Sequence, residues 1–124
     1  MDPHYPYRAP AGFLGRFGGG GAMPPTLAAA GLAPDSPGRT LNEAATVRLV
    51  PSYDEEIAYW DEQFGRLVEG FAAVRDLDRT LVVMTADHGE SMMEHENFFT
   101  HGYHVYEEII RVPLLLRGPG VRAG

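Results

Sequence analysis

Aspartate, histidine and glycine follow one another at Asp87-His88-Gly89, separated only by Thr85 and Ala86 from the apolar run Leu81-Val82-Val83-Met84. A carboxylate beside an imidazole is a donor pair for a divalent cation, and the imidazole favours Mn2+, Zn2+ or Fe2+ over Ca2+ and Mg2+. The glycine after them permits a sharp turn. In open parallel sheets, ligands bind where strands end at their carboxyl edge, which makes these residues a candidate site. The same residues serve equally well as an ordinary turn, with Asp87 capping it and His88 half-exposed. Two adjacent ligands hold a metal weakly, so further donors have to come from elsewhere. The other histidines stand at 4, 95, 101 and 104. No His-Glu-x-x-His and no Cys/His zinc spacing occurs, which argues against a closed structural zinc site.

The elements that must position these residues are partly legible. Residues 80–86 read as a strand buried on both faces. Upstream, Ser52 follows Pro51 and Glu55 stands three residues further on, the capping-box arrangement. Apolar residues then recur at Ile57, Trp60, Phe64, Leu67, Val68, Phe71 and Val74. This spacing predicts a helix over about 53–74 whose stripe, with Trp60 and the two phenylalanines, is core. Residues 76–79 form a polar turn into the strand. After it, a loop rich in Glu, His and aromatics spans 90–106, followed by a short helical turn over 106–110. A second buried strand is expected at 112–116, ended by Arg117-Gly118-Pro119-Gly120. Arg111 reads as a structural ion-pair partner, and His95 and His104 as structural residues.

Residues 1–12, with prolines at 3, 6 and 10, read as an extended loop, with Phe13 and Phe17 anchoring a turn beneath it. Residues from about 10 to 48 read as a Gly/Pro-rich loop or insertion. A long helix followed by two buried strands predicts an α/β layer with a mostly parallel sheet. Two strands and one long helix do not close such a sheet, so the fold is expected to be incomplete in this chain.

Composition narrows the partners. The chain has 124 residues, 44% hydrophobic and 22% charged, which fits one globular unit. A formal net charge of −7 argues against nucleic acid or an anionic membrane as the main partner. An anionic substrate stays compatible, because a bound cation and nearby His or Arg reverse the local sign. There is no cysteine, so disulfides are excluded and the redox compartment is undetermined. No run is apolar and long enough to be a membrane segment, and residues 1–20 lack the order of a signal peptide.

Four stretches in sequence order carry a resemblance: D-P-H-Y-P-Y, then Y-D-E-E-I with Asp61 and Gly65 beyond, then T-L-V-V-M-T-A-D-H-G-E, then H-G-Y-H-V-Y-E-E-I-I-R-V-P-L-L-L-R-G-P-G. Together they resemble the sulfatase family of the alkaline-phosphatase-like superfamily, over most of the chain outside residues 10–48. The resemblance implies a partial three-layer alkaline-phosphatase-like α/β fold with a mostly parallel sheet. Residues 1–124 would be the C-terminal half of a sulfatase catalytic domain, with the N-terminal half missing. It implies that Asp87 and His88 are the second pair of metal ligands, the metal commonly being Ca2+, with Mn2+, Mg2+ or Zn2+ as alternatives. It further implies that His4 contacts the sulfate group or the leaving oxygen and that His101 binds the sulfate, both in catalytic roles. The implied partner is a small-molecule or glycan sulfate ester, and the implied compartment periplasmic or secreted. These roles are physically coherent. A multiply charged transition state needs a cation and fixed donors aimed at its oxygens, and a leaving alcohol needs a proton from a group titrating near neutrality, as histidine does.

The chain departs from that family at the nucleophile. Sulfatases attack sulfur with a hydrated formylglycine made from the Cys or Ser of C-x-P-S-R, and no Cys is present. Asp35-Ser36-Pro37-Gly38-Arg39 has Pro and Arg suitably spaced, but Asp35 occupies the nucleophile position and the stretch follows the P-H-Y-P-Y motif instead of preceding it. It reads as a decoy. The two N-terminal Asp ligands are missing as well, and Met93 and Glu96 stand where relatives often carry Gly. The expected function is a fragment of a metal-dependent sulfuric ester hydrolase that is inactive by itself. The alternatives are a phosphonate monoester hydrolase, phosphodiesterase or phosphoglycerol transferase of the same superfamily, or a truncated, non-catalytic chain.

Overall fold

A computed structural model describes residues 3–18, 43–92, 94–96, 101–102 and 104–122. Most of the Gly/Pro-rich stretch, the Asp35–Arg39 motif and Met93 lie outside the described residues. The elements are α1 (Glu43–Ala72), a 3-10 turn (Leu77–Arg79), β1 (Val82–Thr85), a second 3-10 turn (Glu94–Glu96), α2 (Glu107–Ile110) and β2 (Leu114–Arg117).

The long helix begins at Glu43, well before the start expected near Tyr53, so residues 43–48 are helix and not loop. Pro51 lies inside it. A proline ring is compatible with helical φ, and here it removes only the N–H that would reach the carbonyl of Val47. Glu43-Ala44-Ala45 are good helix formers and carry the turn on upstream. The Ser52-x-x-Glu55 pattern is therefore mid-helix and caps nothing.

Glu55 and Glu56 do something else. Both are buried, and both accept hydrogen bonds from the backbone of the N-terminal loop. Glu56 takes the His4 N–H at 3.2 Å through one oxygen and the Arg8 N–H through the other, and Glu55 takes the Gly15 N–H at 2.7 Å. A segment with prolines at 3, 6 and 10 cannot satisfy its own donors by helix or ladder. Adjacent carboxylates on α1 supply the acceptors. Aromatic pairs close the same seam, Tyr7 on Tyr53 at 5.3 Å and Phe13 on Tyr59 at 5.4 Å, both edge to face. Tyr7, Ala9, Phe13 and Leu49 are the buried apolar residues there. Phe13 anchors the loop as expected; Phe17 is half exposed.

The sheet corrects the sequence reading. β1 and β2 pair antiparallel, Val82 with Arg117 through to Thr85 with Leu114. A parallel return needs a crossover across the sheet face, usually a helix. Among its described residues, the connection between these strands holds the short α2 and a 3-10 turn and no crossover helix, and the chain re-enters from the end where it left. Gly118 completes the pair: its φ is +151°, and a Cβ there would lie 2.6 Å from the Thr80 carbonyl oxygen.

The strands are not buried on both faces. β1 alternates between half-buried and exposed residues, and every residue of β2 is exposed, Leu114 at 64%. The helical stripe expected as core is also open. Ile57, Leu67 and Phe71 are exposed, while Trp60 stacks on Phe64 at 5.1 Å. Among the described residues nothing covers either surface, because α1 uses its other face, with Leu49, Tyr53 and Glu56, for the loop.

Two outcomes follow from this packing. Glu56→Ala leaves two loop donors without that acceptor and is expected to cost the protein about 2–4 kcal/mol, against about 0.5 kcal/mol or less for the exposed Asp61→Ala; denaturant titration of both variants checks the contrast. The 124-residue chain expressed alone is expected to self-associate through its open strands and stripe. A concentration-independent cooperative transition from a monomer contradicts that.

Candidate active site after strand β1

Gly89 fixes the turn that follows β1. Its N–H donates to the Ile109 carbonyl at 2.6 Å, and a Cβ on it would stand 2.0 Å from the Glu108 carbonyl oxygen. Only a residue without a side chain lets the two backbones approach this closely. The turn is thereby docked on α2, whose Ile109 is buried.

His88 and Asp87 sit just before that contact. His88 Nδ1 lies 2.8 Å from the Gly89 carbonyl oxygen; a carbonyl only accepts, so Nδ1 carries the proton and Nε2 the lone pair. Nε2 is 3.9 Å from Asp87 Oδ1. A cation bonding each at roughly 2.0–2.4 Å fits between atoms so spaced. The Asp87 side chain is 77% exposed, open to an ion. No group of three or more such donors converges among the described residues, so the pair fits a metal as part of a ligand set.

Two more of the sequence-derived residues join it. The His101 ring stacks on His88 with centroids 3.8 Å apart, and His4 meets His101 edge on at 5.1 Å. His4 comes from the N-terminal loop, where Glu56 holds its backbone and its own Nδ1 lies 2.7 Å from the Tyr5 carbonyl oxygen. His101 Nδ1 lies 3.1 Å from Glu90 Oε1. All three imidazoles thus have Nδ1 committed to an oxygen acceptor. With Nδ1 so engaged, a ring meets a tetrahedral oxyanion through Nε2–H only in its imidazolium form, and in that form it can also deliver a proton to a leaving oxygen beside a cation.

Sequence reasoning missed the support beneath these rings. Glu90 is buried, and its second oxygen accepts the Tyr7 hydroxyl at 3.3 Å. Burial first, and then the neighbouring Glu90 charge, push the Tyr7 phenol far above its ordinary value of 10.0. Tyr53 is raised for the same two reasons in the same order. Tyr7 therefore remains a donor at any physiological pH. The one available signal was a glutamate directly after Asp87-His88-Gly89.

The remaining expectations divide. His95 takes φ +53° in the 3-10 turn, stacks on Tyr106 at 4.0 Å and lies 4.0 Å from Glu108 Oε2. His104 stacks on the same Tyr106 ring, with centroids 5.5 Å apart. Both support the loop away from the three imidazoles. Arg111 is exposed and makes no ion pair among the described residues; its backbone N–H closes α2 on Glu107 at 2.8 Å.

The sulfatase family model matches residues 1–124. Arylsulfatase K of Mus musculus is 36% identical over 84 residues, covering 68% of this chain and 14% of that protein. Choline-sulfatase of Rhizobium meliloti (strain 1021) is 36% identical over 73 residues, 59% of this chain and 14% of that protein. Arylsulfatase K of Danio rerio is 44% identical over 66 residues, 51% of this chain and 12% of that protein. The matches thus span only about a seventh of these relatives.

Two measurements test the geometry. Gly89→Ala forces its turn away from α2 and is expected to destabilise the protein by about 2–4 kcal/mol, read by thermal unfolding. The raised Tyr7 value predicts alkaline sensitivity. Below pH 10 both states keep the proton; above it the unfolded phenol ionises first, so stability falls as pH rises. Tyr7→Phe is expected to flatten that fall, measured as denaturation midpoint against pH.

Proposed function

The chain belongs to the sulfatase family, and on that premise we propose that it carries the metal-and-histidine side of an active site hydrolysing sulfate monoesters. The observation that supports this reading most directly is the convergence of His4, His88 and His101, drawn from three separate segments, next to Asp87. Asp87 and His88 would hold a divalent cation, Ca2+ by family, which when bound supplies positive charge opposite the ester oxygens.

The chain's own residues do the rest. His4 and His101, as imidazolium rings with Nδ1–H engaged by Tyr5 and Glu90, bind the sulfate oxygens through Nε2–H, and one of them delivers that proton to the departing alcohol oxygen, leaving a neutral ring. Glu56 keeps His4 within reach by holding its backbone, and Gly89 keeps His88 at the strand end by docking on α2. The nucleophile, a formylglycine by family, has no counterpart in this sequence, which contains no Cys. The 124 residues alone are accordingly inactive, because acceleration needs nucleophile and cation together. The substrate is a small-molecule or glycan sulfate ester.

Turnover of an aryl sulfate and an aryl phosphonate by the full-length protein tests the reading. The expected result is preferential sulfate ester hydrolysis, abolished by a chelator and restored by added Ca2+. His4→Asn and His101→Gln are each expected to lower kcat/KM about 10²- to 10⁴-fold. Preference for the phosphonate, or chelator-insensitive turnover, overturns it. So does sulfate hydrolysis by the purified 124-residue chain for the claim of inactivity.

A further inference from the structure

Glu90 has no role in the reaction as described so far, yet both of its carboxylate oxygens have partners at the site. Its side chain is 5% exposed. Oε1 lies 3.1 Å from His101 Nδ1, and Oε2 accepts the Tyr7 hydroxyl at 3.3 Å. Tyr7 in turn packs edge on against Tyr53 of α1. One carboxylate therefore joins the turn after β1, the N-terminal loop that carries His4, and His101.

A buried carboxylate is a costly way to fill space, since a well-packed apolar side chain avoids the desolvation. What the carboxylate adds is direction. Oε2 accepts from Tyr7, and the contact of Oε1 with Nδ1 of His101, ring N–H to carboxylate oxygen, turns the Nε2 edge of the ring away from Glu90. The His101 ring is simultaneously stacked on His88, which fixes its plane while Glu90 fixes its rotation within that plane. The geometry points to Glu90 as the positioning residue of the site: it sets which nitrogen and which edge His101 presents to an anionic substrate oxygen, and through Tyr7 it locks the His4 loop to the same frame. This rests on the sulfate-ester reading of the site for its consequence in turnover, but not for the state of the His101 ring.

The test uses the full-length protein labelled with 15N-histidine, with His101 assigned by comparison with His101→Gln. Two-bond proton–nitrogen spectra of the wild type are expected to show His101 protonated at Nδ1. Glu90→Gln, whose amide oxygen still accepts, keeps that pattern; Glu90→Ala loses it. Tyr7→Phe also keeps it, because the Nδ1 partner is untouched, although stability falls. In turnover of an aryl sulfate, Glu90→Ala is expected to lose about 10- to 100-fold in kcat with a smaller change in KM, and Glu90→Gln to recover most of the loss. A wild-type His101 with a bare Nδ1 overturns the proposal without any variant, so a Glu90→Ala protein that does not fold leaves it decidable. Equal turnover losses in Glu90→Ala and Glu90→Gln, with the His101 pattern unchanged in both, also overturn it. Absence of sulfate hydrolysis by the wild type instead defeats the sulfate-ester reading, and the ring spectra still decide the role of Glu90.

Discussion

The acceptance of loop N–H groups by Glu55 and Glu56 is the contact on which the arrangement depends. Prolines deprive the N-terminal loop of regular structure, and its amides need partners that only another element can provide. Two neighbouring carboxylates on α1 provide them, from His4 to Gly15. These bonds are charge-assisted and sheltered from solvent, so they are stronger than ordinary loop contacts. His4 reaches the other imidazoles because its backbone is tied down here.

A second constraint works from the opposite side. Gly89 lets the turn after β1 press against α2 at a distance no other residue permits. That contact holds Asp87 and His88 at the end of the strand, and Glu90 enters the interior directly after it. The loop and the turn then meet through Tyr7 and Glu90. Two backbone constraints and one buried hydrogen bond thus bring together residues far apart in sequence. The shielding that strengthens these bonds also holds the Tyr7 phenol protonated, so the link persists across the working pH range.

The open surfaces have a common origin. α1 spends one face on the loop, and the strands pair only with each other. The apolar residues left outward, from Ile57 to Phe71 on the helix and Leu114 to Leu116 on β2, keep the character of core positions without a covering layer among the described residues. Their periodicity was read correctly as apolar; their burial was not, because burial depends on what lies opposite.

The sequence by itself offered candidates for the chemistry: Asp87 and His88 by type and by their place after an apolar run, His4 and His101 through the family resemblance. The long helix, both strands in outline and the short turn of α2 were legible in it too. It misplaced the start of α1 because a Ser-x-x-Glu pattern after a proline looks the same whether it caps a helix or lies within one. It gave the strands the wrong relative direction because strand direction is set by the path of the connection, which local propensity does not encode. It left Glu55, Glu56 and Glu90 without their roles, since a buried acid differs from a surface acid only in its neighbours. Tertiary structure decided those three, because pairing Glu55 and Glu56 with amides 40 to 52 positions away, and Glu90 with a phenol 83 positions away, is a property of packing that local sequence pattern does not show.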